Sequence, residues 1–262
     1  EQARINLEKE LAHWNFDRVK EDAFAEWNRE LGKITVEGGS EEEKIKFYTD
    51  LWHSLLGRHT FSDFNGKYID NTGEEPVVRQ VPLDNGTPTR NTYNSDAFWG
   101  SEFNLNILWS IAYPKVMSEF VSTLVDYYTN GGMIARGPSG GNYTYVMVGD
   151  QATPLIAAAY NKGIRDFDIE SAYQGCLKNS EPGGIRDYVG YKTNPGNFMQ
   201  QYVDKGFVPE PTTKSPHAEG CAMTLYFAYE DWCMAQFAKG LEKEDVYRKY
   251  LQRSFNYRYV YD

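Results

Sequence analysis

The sequence predicts an all-α fold in which antiparallel helical hairpins curl into a toroid, with a small β-hairpin insertion near residues 58–95. Three observations carry this. Apolar residues recur at helical spacing through most of the chain. A pattern of helix, glycine stop, short acidic turn and helix occurs twice, at Lys162–Asp168 and again at Lys239–Asp245, 77 residues on. Long stretches without helical period (58–95, 131–150 and 180–216) separate the helical runs. Repeated hairpins with variable connections suggest a ring rather than a compact bundle. The long connections are then expected to gather at one end and build a site.

The elements follow in order. Leu7, Leu11 and Trp14, then Phe24, Trp27 and Leu31, show a phase shift that predicts two helices meeting at Asn15–Phe16–Asp17. Gly32 is suited to close the second, because a C-terminal glycine tolerates backbone angles that other residues resist. Ser40 followed by Glu43 forms a capping box opening a helix to about Leu56, with Ile45, Tyr48, Leu51, Trp52 and Leu55 inward. Turn residues fill 58–95, where Val77–Val78 and Val81 predict short strands. A helix is expected from Ser95–Asp96 through Trp99, Phe103, Ile107 and Ile111. Pro114 then starts another, which buries Val116, Phe120, Val121, Leu124 and Tyr128 and stops at Asn130–Gly131–Gly132. A small-residue helix runs from Thr153 to Lys162. The two echoed turns introduce helices to about Lys178 and Phe255.

The chain has 262 residues, enough for one large domain or two small ones. Its net charge of −10, without a Lys/Arg cluster, disfavours nucleic acid and anionic membrane surfaces as partners. No apolar run is long enough to span a bilayer, which needs about 18 residues or more. The first residues already read as helix, so the start is expected to be a cut within a longer protein. Cys176, Cys221 and Cys233 fit neither a zinc site nor a disulfide framework and are expected as buried free thiols. Aromatic residues reach 15%, with 20 Tyr and 6 Trp. Such rings offer a flat apolar face and a polar edge, which match the C–H faces and hydroxyl rims of sugars; a large helical core uses them too.

Several chemistries lack their residues. The glycine-rich stretch 131–149 lacks the Gly-Lys-Ser/Thr ending of a phosphate loop. No zinc-protease helix, nucleophile elbow or dinucleotide fingerprint is present. Of the four histidines, His59 and His217 lie in or beside loops. Carboxylates remain. Glycoside hydrolysis needs an acid for the leaving oxygen and a base for water, and an inverting pair stands about 6.5–9.5 Å apart. Asp63 lies between aromatics in Phe61–Tyr68. Glu219, Glu230 and Asp231 flank or ride the aromatic helix from His217 to Lys239. On that helix Cys221, Leu225, Ala228, Trp232 and Ala235 form one stripe, expected to be core, which leaves Glu230 and Asp231 expected at solvent. Asp63, Asn65, Asp70 and Asn71 have the composition of a calcium loop, but Gly66 is misplaced for an EF-hand.

These segments resemble glycoside hydrolase family 92, the calcium-dependent exo-acting α-mannosidases, almost end to end. The resemblance rests on Trp14–Asp17, Phe47–His53, Ser62–Tyr68, Ala159–Asp168, Gly206–Pro209, Ala228–Cys233 and Arg253–Tyr257. It implies that residues 1–262 are the N-terminal portion of an (α/α)6 catalytic domain, with entry helices over 1–31. It also implies a partner β-sandwich domain before them, and the rest of the toroid, with the candidate bases and most calcium ligands, after them.

Several positions depart from the family pattern. The family's acid follows Thr-Leu, where this chain has Thr224–Leu225–Tyr226, and a phenol with a pKa of about 10 is a poor donor at neutral pH. The Trp-Asp-Thr-aromatic-Arg segment reads Trp99–Gly100–Ser101–Glu102–Phe103 here, losing a carboxylate and an arginine. A histidine after the glycine-rich loop is replaced by Gln151. Asp63 matches a sugar-binding aspartate.

The catalytic candidates are therefore Glu219, Tyr226 and Glu230. Glu219 is the preferred replacement acid, about two helical turns before Tyr226, with Glu102 and Glu230 as alternatives. The substrate-binding candidates are Asp63, Trp99, Glu102, Phe103, Gln151 and His217. The resemblance implies inverting hydrolysis of terminal α-mannosides, α-1,2-linked ones above all, with Ca2+ as cofactor, in a secreted or periplasmic bacterial protein. Its partners would be a glycan and the β-sandwich domain. A catalytically silent glycan-binding homologue is the alternative, and a helical-repeat scaffold the third reading.

Overall fold

Capping residues set the helix boundaries where the sequence places them. In this computed structural model, which describes residues 1–95, 98–189, 196–210 and 219–261, α1 (Gln2–Glu10) gives way to α2 (Phe16–Leu31) at Asn15, whose side chain accepts from the Arg18 N–H. Ser40 and Glu43 form the reciprocal capping box at the head of α3 (Glu41–Leu55). The insertion follows as paired two-residue and four-residue strands. They are β1 (His59–Thr60), β2 (Lys67–Asp70), β3 (Val77–Gln80), β4 (Leu83–Asp84), β5 (Thr87–Pro88) and β6 (Tyr93–Asn94). All pair antiparallel, β1 with β6, β2 with β3 and β4 with β5.

The helix expected from Ser95 is shorter. Residues 98–104 form a turn and a 3-10 segment (Ser101–Phe103), and α4 (Leu105–Ala112) starts only after Asn104, whose side chain caps Leu105. Gly100 at φ +81° breaks the helical path there. Pro114 opens α5 (Pro114–Gly131), and Gly132 at φ +86° ends it. A further hairpin, β7 (Pro138–Ser139) with β8 (Asn142–Tyr143), precedes α6 (Ala152–Asn161). Then come α7 (Ile169–Asn179), α8 (Phe198–Lys205), α9 (Gly220–Gly240) and α10 (Glu244–Ser254), closed by a 3-10 turn over Phe255–Val260.

The two echoed turns differ in mechanism. Gly163 takes the left-handed conformation in the first, at φ +85°, whereas Glu242 takes it in the second, at φ +59°. Gly240 is needed for space instead: a Cβ there would lie 2.8 Å from the Asn161 side-chain oxygen, against the end of α6.

Helices alternate between two files. α4, α6 and α9 pack in one, while α5 and α7 pack in the other, and α10 lies along α9. Chain neighbours thus fall in different layers, as antiparallel hairpins in a curved double layer require. The core between them is aromatic and aliphatic, including Phe120, Leu124, Ile134, Leu155 and Phe237. A smaller core holds α8 and the start of α9 together through Met199, Tyr202, Met223 and Phe227.

Two expected faces are corrected. Ile45 and Trp52 on α3 are exposed, and only Leu51 of the expected set is fully buried. On α9, Cys221 and Trp232 of the expected core stripe are exposed, whereas Glu230 and Asp231 are 1% and 0% exposed. This helix is apolar around most of its circumference, so spacing alone does not choose its inner face; the buried cations opposite Glu230 and Asp231 do. Of the three free thiols, Cys176 and Cys233 are buried as expected, but Cys221 is not.

Candidate active site

The long connections meet. The Ser95 N–H donates to the Pro138 carbonyl, the Asn71 N–H to the Gly141 carbonyl, and the Gly140 N–H to the Asn94 side chain. The insertion is thereby laced to the β7–β8 hairpin. Arg136, buried, donates to five carbonyls: Gly149, Val146, Met147, Ile185 and Tyr188. One guanidinium thus ties the segment before α6 to the turn before α8. Tyr145 stacks on Tyr188 across the same junction, with centroids 4.9 Å apart.

Above this junction lies an aromatic ledge. Trp99, 44% exposed, lies 5.6 Å from Tyr226 of α9. Phe103, 65% exposed, stacks on Tyr229 one turn further on, at 6.4 Å. Gly100 makes the turn that sends both rings toward α9, and Glu102 sits between them in sequence. Its carboxyl is half-buried, and Oε2 is sealed from solvent without a hydrogen-bond partner among the described residues. Loss of water pushes the Glu102 carboxyl above its ordinary range against the backbone N–H groups of Glu102 and Gly100, and among the described residues no cation adds to them. Its charge acts on Tyr226, Tyr229 and Cys233. The Tyr226 phenol is pushed up to about 12, by burial first and then by Glu102 and Glu230. It can hold a hydroxyl by hydrogen bonding but has no proton to spare near neutrality.

Beneath the ledge runs a buried ionic network. Asp231 accepts from Arg186 Nη1 at 2.7 Å and from Arg253 Nε and Nη2 at 2.6 and 2.7 Å. Arg186 also donates to Ser180 Oγ, and Arg253 to the Ser180 carbonyl. Glu230 Oε1 accepts the Asp150 N–H, while its Oε2 lies 3.0 Å from Arg186 Nε, close as a charge but not aligned as a hydrogen bond. Asp150 caps α6 through the Thr153 hydroxyl and the Ala152 N–H. Burial opposes the charge on Arg186, but Glu230, Asp231 and Asp150 outweigh it, so Arg186 keeps its proton. Glu230 is the member that yields: burial pushes it up to about 8 despite Arg186.

The sequence-predicted residues divide accordingly. Trp99, Glu102, Phe103 and Tyr226 come together. Glu230 lies below them, shut off from solvent. Gln151 is wholly buried, its side-chain N–H bonded to the Val148 carbonyl and its oxygen without a partner among the described residues. Asp63 stands at the other end of the insertion, where it accepts from Asn6 of α1 at 2.6 Å. Glu219 is exposed at the head of α9, about 10 Å along the helix from Tyr226. His217 lies outside the described residues. Sequence reasoning missed Arg136, Arg186 and Arg253. An arginine such as Arg186, in Gly184–Ile185–Arg186–Asp187, carries no periodicity, and only its packing reveals its role.

No group of three or more His, Cys, Asp or Glu among the described residues is arranged to hold a metal ion. The acids of the suggested calcium loop are otherwise committed, Asp63 to Asn6 and Asp70 to Thr72 and Arg79. These residues do not fit a calcium site.

The model of the glycosyl hydrolase family 92 catalytic domain matches residues 2–262. The chain belongs to glycosyl hydrolase family 92. A family 92 inverting mannosidase from Bacteroides thetaiotaomicron superposes with a TM-score of 0.83 at 27% identity, over 98% of this chain and 33% of that one. A family 92 α-mannosidase from the same organism gives 0.81 at 26%, over 98% and 32%. An uncharacterized secreted glycosidase of Arthroderma benhamiae is 25% identical over 100% of this chain and 29% of its own length. The family 92 chain described here thus spans about a third of these relatives, and it shares their helical toroid fold. No described helix is long and apolar enough to cross a membrane.

Proposed function

We propose that this chain is part of a glycosidase that removes terminal α-mannosyl residues with inversion, acting on glycans outside the cytoplasm. The supporting observation is the superposition over 98% of the chain on an inverting mannosidase. The aromatic ledge of Trp99, Phe103 and Tyr226, with a carboxylic acid beside it, suits one pyranose ring: apolar C–H faces on the rings, hydroxyls on the polar edges. Inversion needs a second carboxylate to activate water, and the reading expects it, with calcium, in the part of the toroid beyond residue 262. Contact with a β-sandwich domain belongs to the same proposal.

A second reading has one observation in its favour. Tyr226 occupies the position where the family resemblance expects the acid, and its phenol is held at about 12. A glycan-binding homologue that does not cleave would tolerate this. Incubation of the full-length protein with α-1,2-mannobiose separates the two. The hydrolase releases mannose, seen first as the β-anomer by proton NMR, and loses activity to a calcium chelator. Binding without release would establish the second reading, and release insensitive to chelation would remove calcium from the first.

A further inference from the structure

We propose that Glu102 is the proton donor of this hydrolase, acting from the 3-10 turn beside α9 in place of the side chain at position 226. The inference rests on the hydrolase reading above and adds the residue that protonates the leaving group.

Three geometric facts select it. First, the alternatives are badly placed. Glu230 is 1% exposed, bonded to the Asp150 N–H and set against Arg186, with no path to a ligand. Glu219 is an exposed helix-capping position about two turns from the ledge. Tyr226 is on the ledge but keeps its proton. Second, Glu102 lies between Trp99 and Phe103, the two residues whose rings meet Tyr226 and Tyr229. A sugar seated on those rings would bring its glycosidic oxygen to this carboxyl. Third, Oε2 is enclosed without a hydrogen-bond partner among the described residues. A carboxylate oxygen so placed is costly, whereas a carboxylic acid is tolerated. Among the described residues, the titratable groups on which its charge acts are Tyr226, Tyr229 and Cys233, all from α9, and none of them is a cation. Desolvation therefore favours the protonated form of the Glu102 carboxyl and outweighs the backbone N–H groups of Glu102 and Gly100, which favour the charged form.

The step balances simply. The Glu102 O–H proton passes to the glycosidic oxygen as the C1–O bond breaks with its electron pair leaving on that oxygen. Water adds to C1 from the opposite face and gives its proton to the base. Free mannose and the aglycone alcohol leave, and Glu102, now a carboxylate, regains a proton from solvent.

The test compares two substrates in the full-length protein. Glu102→Gln should lower kcat on α-1,2-mannobiose by roughly 100-fold or more, the usual contribution of a general acid. On 2,4-dinitrophenyl α-mannoside, whose leaving group needs no proton, kcat should stay within about threefold of wild type. The alkaline limb of the kcat/KM profile on mannobiose should vanish as well. Equal losses on both substrates would make Glu102 a structural residue and overturn the proposal, as would retained mannobiose turnover. Glu102→Asp, with matching circular dichroism, guards against misfolding by restoring part of the mannobiose rate. If wild type cleaves neither substrate, the hydrolase reading fails and takes this inference with it; if wild type cleaves both and Glu102→Gln does too, only this inference fails.

Discussion

Asp231→Asn perturbs a fully buried carboxylate set between two arginines. Asp231 is fully buried and accepts three hydrogen bonds, two from Arg253 and one from Arg186. An asparagine keeps one oxygen but aims an amide N–H2 at a guanidinium, and it removes the charge both arginines face. Breaking a buried ion pair by deleting one partner costs about 3–5 kcal/mol, because the survivor remains desolvated and uncompensated. Here two survivors share Glu230, which prefers to be neutral, and Glu181, which bonds mainly to Lys249 and Tyr250. The upper half of that range is therefore expected. Against a typical domain stability of about 5–15 kcal/mol, this removes roughly a quarter or more. Urea unfolding followed by circular dichroism at pH 7 reads the loss as a shift in midpoint at unchanged slope. As a control, Arg248→Ala removes the exposed Arg248–Glu244 pair and should leave the midpoint within error. A loss below about 1 kcal/mol for Asp231→Asn would refute the argument, since it would mean that water or other acceptors satisfy Arg186 and Arg253.

Two further outcomes follow from the same structure. Glu230 is raised from 4.5 to about 8, so the fold favours its neutral form. Its stabilising contribution is full below pH 4.5 and is lost as pH climbs through 8, by an amount on the order of 4 kcal/mol. Stability measured at pH 5 and pH 8 should fall more steeply for wild type than for Glu230→Gln, and parallel curves would sink the assignment. Gly141→Ala should destabilise the chain by about 1–3 kcal/mol, because φ is +77° there and a methyl would meet the Ile69 carbonyl. An unchanged melting temperature would show that the insertion and the β7–β8 hairpin are not locked together as described.

Local chemistry made much of this legible in advance. The capping box at Ser40, the cap at Asn15, the proline start at Pro114 and the glycine stop at Gly132 act within one turn of chain, so they can be read without partners. Trp99, Phe103 and Tyr226 could be singled out through family resemblance; Trp99 does meet Tyr226, while Phe103 stacks on Tyr229 beside it. The inner face of α9 could not be read. Its sequence offers apolar residues on nearly every side, and Glu230 and Asp231 look like solvent-facing acids until Arg186 and Arg253 are seen opposite them.

The sequence by itself determined the helical class, most helix ends, the insertion and the family, because caps, periodicity and motif wording are local or linear properties. Tertiary structure alone decided which acids are neutral, which cations are enclosed, and which carboxyl stands beside the aromatic ledge. Those depend on desolvation and on charges brought together from distant parts of the chain, such as Arg186 and Asp231, 45 positions apart, and no spacing along a chain encodes the dielectric around a side chain.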